Sequence, residues 1–134
     1  MGASTCTLTD VSDDVVDDVR VIVERFECED TMSDPRVTGT ETLLSTSRIE
    51  PGADAGTWSA PDAVLTTDGG TWRGWAQGVV DLTGVLPFAE GVTPFNYGEA
   101  HYVGEGAYQG LEYHVYVSGS NSELGVAGWI TSTN

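Results

Sequence analysis

The sequence predicts an all-β fold, in which one domain spanning residues 1–134 forms an eight-stranded antiparallel β-barrel. The first observation is composition, since 17 glycines and abundant Thr, Val and Ser favour strands and tight turns over helices. The second is length, because 134 residues supply one hydrophobic core. The third is a series of eight short segments that alternate between two faces, with turn residues about every ten positions. Closure into a barrel removes exposed strand edges, which favours it over an open sheet.

The first two strands are predicted at residues 4–9 and 19–29, where apolar and polar residues alternate. The valines of the second strand share one face before the phase shifts toward Phe26 and Cys28, which predicts a bulge. Residues 10–18, between the two strands, carry five aspartates and are expected to form an exposed hairpin loop. Calcium binding is the alternative, but the carboxylates lack the spacing of a calcium-binding loop, and a solvated loop is favoured.

Turn residues separate the remaining six strands, which are predicted at residues 37–49, 57–67, 71–80, 97–103, 111–118 and 124–130. Pro61 interrupts the fourth strand and predicts a bend or bulge there. Asp68-Gly69-Gly70 is typical of a hairpin turn, because glycine tolerates positive φ. The longest irregular stretch is residues 81–96, which is a candidate lid or oligomer contact.

The charge of the chain excludes several classes of partner. It carries 21 acidic residues against five arginines, has no lysine, and has a net charge of −16. Nucleic acid is not expected as a partner, because phosphate binding needs basic residues. A membrane is not expected either, since the sequence has no polybasic segment and no run of about 18 apolar residues. Such an acidic surface suits a saline or extracellular setting, and a compositional bias toward Arg, Asp and Glu is the alternative explanation.

The two cysteines, Cys6 and Cys28, lie in neighbouring predicted strands and are expected to form a disulfide. The bond would close a loop of about 20 residues, which stabilises the fold by roughly 3 kcal/mol in the chain-entropy model. Two buried free thiols are the alternative. A disulfide predicts an oxidising compartment, and therefore an extracellular or secreted location. The cysteine spacing does not fit a zinc or redox site, and we expect no metal and no cofactor.

The signature motifs of serine hydrolases, zinc proteases and nucleotide-binding enzymes are absent from the sequence. Weak catalytic candidates are Glu99, Tyr102 and His114. Each histidine lies two residues from a glutamate, and residues two apart on a strand point the same way, so that they could act as acid and base. A polar outer face of the barrel is the favoured alternative for these glutamates and histidines.

Four aromatic residues, Trp58, Trp72, Tyr102 and Tyr113, fall on strand faces shared with small or apolar residues. We therefore expect them to point inward and to bind a ligand. Large rings beside glycines can leave a cavity, and rings with one polar tip suit a flat apolar molecule. The alternative is that the rings simply fill a small barrel.

The segment Gly104-Glu105-Gly106-Ala107-Tyr108-Gln109-Gly110-Leu111 resembles the Gly-x-Gly-x-aromatic-x-Gly segment of the allene oxide cyclase-like and dirigent-like β-barrels. Residues 68–74 are similar to a turn and strand in small secreted bacterial members of that superfamily, and the resemblance extends over residues 57–130. It implies an eight-stranded barrel, often a dimer or trimer, whose cavity holds a hydrophobic molecule and in some members guides its cyclisation or coupling. The catalytic residues of neither family can be placed on this sequence.

The sequence therefore predicts an exported barrel that binds a hydrophobic small molecule in its interior, and it leaves homo-oligomerisation open. A cofactor-free cyclase or isomerase that uses the same cavity is one alternative. A structural or self-assembling surface protein without a ligand is the other.

Overall fold

The computed structural model describes residues 1–81, 95–120 and 123–133, most of which lie in strands. The strands are β1 (Gly2–Val16), β2 (Val19–Met32), β3 (Gly39–Ile49), β4 (Ala55–Thr66), β5 (Gly70–Asp81), β6 (Phe95–Gly106), β7 (Leu111–Ser120) and β8 (Glu123–Ser132). A 3₁₀ helix, Pro35–Val37, lies between β2 and β3. Within the described ranges, no helix has the length and apolar character needed to cross a membrane.

All eight strands belong to one sheet, and each pairs antiparallel with the next strand along the chain. The predicted set of eight antiparallel strands is confirmed. β1 also pairs with β8, so the ring of hydrogen bonds closes. Among the described residues, closure uses the start of β1, where Gly2, Ala3 and Ser4 lie opposite Val126, Gly125 and Leu124.

The β1–β2 hairpin differs from the prediction. Residues 10–16, which were expected in a loop, continue β1, and the turn consists of Asp17 and Asp18 alone. Both aspartates have positive φ (51° and 66°), which a two-residue hairpin turn requires and which Asp tolerates better than most residues. The register shift lies in β1 between Leu8 and Asp10, and not in β2 as predicted. Residues 10–18 are exposed, and their charges protect the edge that β1 presents beyond its contact with β8.

Between β4 and β6, the observed strand interruption and turn lie where the sequence predicts them. The interruption at Pro61 is confirmed, because the pairing of β4 with β5 shifts register between Ala60 and Ala63. The Thr67 amide donates to the Gly70 carbonyl at 2.9 Å and closes the turn into β5. Of the irregular stretch predicted at residues 81–96, residues 82–94 lie outside the described residues, and the rest belongs to β5 and β6.

One end of the closed sheet is filled by Val37, Leu65, Trp72 and Tyr108, which we call the floor. Val37, Leu65 and Trp72 are at most 2% exposed. The Trp72 ring stacks on Tyr108 with centroids 5.0 Å apart, and its indole N–H donates to the Arg36 carbonyl at 2.8 Å. The 3₁₀ helix is thereby tied to β5 at this end of the sheet.

Candidate functional site

Next to the floor, inward-facing side chains from all eight strands enclose a cavity of about 130 Å³. An engineered protein cavity of about 150 Å³ accepts benzene, so this space suits a molecule of one ring. The walls are chemically divided. β4 to β8 supply mostly apolar side chains, whereas most of the polar groups come from β1 to β3.

Trp58 is the largest side chain of the apolar wall. Its ring lies over the inner faces of β5 and β6, where a Cβ added to Gly78 would come within 2.8 Å of Trp58 Cζ2 and one added to Gly98 would overlap the same ring. The two glycines therefore make room for the ring. The Trp58 indole N–H is buried and has no hydrogen-bond partner among the described residues. Most buried donors are paired, so this unpaired donor is an exception within the described part of the chain.

Two carboxylic acids stand next to each other on the polar wall. Cys28 of β2 lies directly opposite Glu41 of β3, and Asp30 follows Cys28 by two residues, so both carboxyl groups point inward. The two side chains are hydrogen-bonded to each other. Tyr102 Oη donates to Glu41 Oε2 at 2.9 Å, and Ser4 Oγ donates to Asp30 Oδ1. Side chains of β1, β2, β3 and β6 thus converge on one polar cluster.

Burial changes the protonation of this pair. Loss of hydration is the largest cause that raises the pKa of Glu41 well above its ordinary value, and the charge of Asp30 raises it further. Loss of hydration also raises the pKa of Asp30, although the hydrogen bonds from Ser4 and Glu41 oppose that rise. Glu41 is therefore the member that holds a proton more tightly, and Asp30 accepts from it. Because the two carboxyl groups are hydrogen-bonded to each other, they gain and lose protons as a pair.

Two phenols complete the cluster. Burial, followed by the charge of Glu41, raises the pKa of Tyr102 well above its ordinary value. Burial, followed by the charge of Asp30, also raises the pKa of Tyr113. Both phenols remain protonated and act as hydrogen-bond donors or neutral acids. Their rings stack with centroids 5.8 Å apart, which fixes Tyr102 over the carboxyls.

The structure brings three of the four predicted aromatic residues to the cavity: Trp58, Tyr102 and Tyr113. Trp72 lies outside the cavity lining, because it is part of the floor beneath Tyr113, with ring centroids 5.8 Å apart. The predicted disulfide between Cys6 and Cys28 is confirmed, and both cysteines line the cavity.

The three weak catalytic candidates do not form one site. Tyr102 lies inside, whereas Glu99 and His114 lie on the outer face of the sheet. Glu99 accepts a hydrogen bond from Gln77 Nε2 at 3.0 Å, and the His114 ring stacks on Trp129. A reaction in the cavity would use the carboxyl pair in place of these two outer residues.

Asp30 and Glu41 were not among the site residues predicted from the sequence, although the sequence contains a signal for both. Glu41 occurs in the alternating series Val37, Gly39, Glu41, Leu43, which places an acid on the apolar face of a predicted strand. Asp30 likewise continues the face of Phe26 and Cys28. A carboxylate on an inward face is costly unless it is paired, and such a position marks a candidate site.

Among the described residues, one group of three side chains could hold a metal ion: His101, Glu112 and His114, on the outer face of β6 and β7. The acidic residues 10–18 supply no such group, because strand alternation separates their carboxylates and Asp13 is paired with Arg20.

The chain matches no family model, no curated protein and no solved structure. The resemblance to the allene oxide cyclase-like and dirigent-like barrels therefore stays a prediction from glycine motifs.

Proposed function

We propose that the sheet acts as an eight-stranded barrel whose interior binds a small, mostly apolar molecule with a polar group that donates a hydrogen bond. The observation that carries this proposal is a cavity of about 130 Å³ in which an apolar wall faces a buried carboxyl pair. Pockets of this kind bind by apolar burial and orient the ligand through a few polar groups. A phenol, an alcohol or a primary amine on one ring meets these requirements.

Affinity and orientation come from different parts of the cavity. Burial of the ring against Trp58 and Val115 supplies most of the binding free energy, at about 25 cal/mol per Å² of apolar surface. The donor group of the ligand bonds to the Asp30–Glu41 pair, which fixes the orientation of the ring in the cavity. The net charge of −16 favours an amine over an anion of the same shape.

The test is calorimetric titration with benzylamine, benzyl alcohol, toluene and benzoate, which share a size and differ in the polar group. We expect the first two to bind more tightly than toluene and benzoate to bind least. Asp30→Asn should weaken benzylamine by about tenfold, the equivalent of one charge-assisted hydrogen bond, because Asp30 is the accepting carboxyl of the pair, and it should leave toluene within about twofold. Glu27→Gln is the control, because Glu27 lies on the outer face of the same strand. Equal effects of the two substitutions, or no binding by any compound, would contradict this proposal and favour a structural protein without a ligand.

A second candidate function is a cofactor-free cyclase or isomerase that uses the same cavity. It is favoured by one observation, the hydrogen-bonded carboxyl pair with raised pKa beside the protonated Tyr102, since a desolvated carboxylic acid that keeps its proton can act as a general acid. Polyene and epoxide compounds incubated with the protein would be analysed for product by mass spectrometry. Product that disappears in Glu41→Gln while binding persists would support the enzyme.

We also propose an extracellular or secreted location, which the Cys6–Cys28 disulfide supports.

Self-association is consistent with exposed aromatic side chains on the outer face of β5 to β8, including Trp75, Tyr97, Tyr116 and Trp129, which are 39–55% exposed. Light scattering of the purified protein would give its oligomeric state.

A further inference from the structure

We propose that His101, Glu112 and His114 form a binding site for a divalent late transition metal ion, such as Cu²⁺, Ni²⁺ or Zn²⁺, on the outer face of β6 and β7. The site is separate from the cavity, because these side chains point away from Tyr102 and Tyr113, their inward-facing neighbours in the same strands.

The strand register creates the group. His101 and His114 lie directly opposite each other across β6 and β7, with ring centroids 4.6 Å apart. Glu112 precedes His114 by two residues and therefore shares its face. The three ligands thus come from two adjacent, fully paired strands, which hold them on a rigid support.

The distances are close to those of a coordinated ion. His101 Nε2 and His114 Nε2 each lie 3.7 Å from the same atom, Glu112 Oε2, and all three ligand atoms lie within 4.8 Å of one another. With metal–ligand bonds near 2.1 Å, two ligands of a tetrahedral ion are about 3.4 Å apart. Small rotations of three partly exposed side chains would bring the donors to that spacing.

The donor set selects the class of ion. Two imidazoles and one carboxylate suit zinc, copper and nickel, whereas calcium and magnesium prefer oxygen ligands alone. The three side chains are 27–33% exposed, so a hydrated ion can reach them and keep water in its remaining positions. The strong negative charge of the protein attracts cations to its surface in general, which raises the local concentration without giving selectivity.

The surroundings hold the imidazoles in place. Trp129 stacks on His114 with centroids 5.3 Å apart, and Trp75 lies 6.1 Å from His101 on the other side. Thr131 Oγ1 lies 3.5 Å from His114 Nε2, the same nitrogen that would bind the metal. A bound ion would displace this weak contact. The flanking tryptophans also provide a spectroscopic signal, because Cu²⁺ and Ni²⁺ quench a nearby indole.

The experiment uses the full chain without a histidine tag. Cu²⁺ and Ni²⁺ are titrated while tryptophan fluorescence is followed, and Zn²⁺ is titrated by calorimetry, with Ca²⁺ and Mg²⁺ as comparisons. We expect one ion per chain and no saturable response to Ca²⁺ or Mg²⁺. His101→Gln and His114→Gln should each weaken binding by more than about tenfold, since even residues that only support metal ligands contribute about 10- to 100-fold.

Glu27→Gln, which removes one outer carboxylate elsewhere in the sheet, should leave the affinity within about twofold. Electron paramagnetic resonance of the Cu²⁺ complex should show two coordinated imidazole nitrogens in the native chain and one in each histidine variant. Thermal unfolding without metal checks that the variants are folded. Equal affinity in all variants would show that the ions bind the acidic surface non-specifically and would overturn the site, as would a spectrum without nitrogen ligands.

Discussion

Removal of the Cys6–Cys28 disulfide provides a quantitative test of how this fold is stabilised. The two cysteines lie directly opposite each other on β1 and β2, and Cys28 is 1% exposed. The perturbation is the double substitution Cys6→Ala with Cys28→Ala. The disulfide therefore adds a covalent link to a hairpin whose two strands are already paired from Gly2 to Val16.

The magnitude follows from the sequence separation of 22 residues between the cysteines. In the chain-entropy model, a cross-link over that separation lowers the entropy of the unfolded chain by about 11 cal/mol/K, which is about 3.4 kcal/mol at 25 °C. The entropy of unfolding of a chain of 134 residues is about 0.28 kcal/mol/K near 60 °C, so the midpoint of thermal unfolding should fall by about 12 °C.

The assay is urea unfolding followed by circular dichroism, on the oxidised native chain, the reduced native chain and the double alanine variant. The reduced chain retains both sulfur atoms, so it separates the loss of the cross-link from the enlargement of the cavity. A thiol titration of the unfolded, unreduced protein should find no free sulfhydryl. A loss below about 1 kcal/mol in the reduced chain would refute the entropic argument and show that β1 is held by its other contacts.

Three further predictions follow from the interior and the surface. The pKa of Glu41 is raised in the folded state, so the folded protein binds the Glu41 proton more tightly than the unfolded protein does. The contribution of Glu41 to the free energy of unfolding therefore falls as the pH rises from the ordinary glutamate range through the raised pKa. Glu41→Gln should therefore gain stability relative to the native chain between pH 4.5 and pH 8 in urea titrations, and parallel profiles would contradict this. Gly98→Ala should destabilise the fold by about 1–3 kcal/mol, because the added Cβ would overlap Trp58. Gly125→Ala is the control: its Cβ would lie 3.5 Å from Ser118 O, an ordinary contact, and should change stability by less than about 0.5 kcal/mol. Stability should rise with sodium chloride, because ten of the 21 acidic residues lie within the first 34 positions and salt screens their mutual repulsion. A melting temperature that does not change with salt concentration would show that these charges are already compensated.

Alternation and turn chemistry were sufficient to predict the strands, because both act over a few residues. Pro61 marks an interruption by local sterics, and the structure has it. The turn predicted at Asp68–Gly70 is also present, but neither glycine has the positive φ expected of it, and both instead lie against Tyr108. The length of the β1–β2 hairpin was not predictable in this way. Residues 10–16 are polar and exposed, and an edge strand can extend beyond the core without an apolar face.

The carboxyl pair needed information that no local pattern contains. Alternation places Asp30 and Glu41 on inward faces, but only the register of β2 against β3 makes them neighbours, and only the approach of β6 brings Tyr102 to Glu41. The same holds for His101 and Glu112, which lie on consecutive strands and are brought together by the register of β6 against β7. A site built across several strands shows in the sequence only as isolated residues, such as a single acid on the apolar face of a strand.

The glycine motifs and Trp72 contribute to the site through the floor. The ring of Tyr108 lies against Gly69 and Gly70, and its backbone and Cβ lie against Gly104, so the two glycine segments meet at this one residue. That ring stacks on Trp72, and Trp72 packs against Tyr113 beside the carboxyl pair. Leu65, another member of the floor, lies opposite Glu41 in the pairing of β3 with β4, so the floor borders the carboxyl pair. Glycine segments that look like turns in the sequence therefore help to pack the end of the sheet next to acids that lie on other strands.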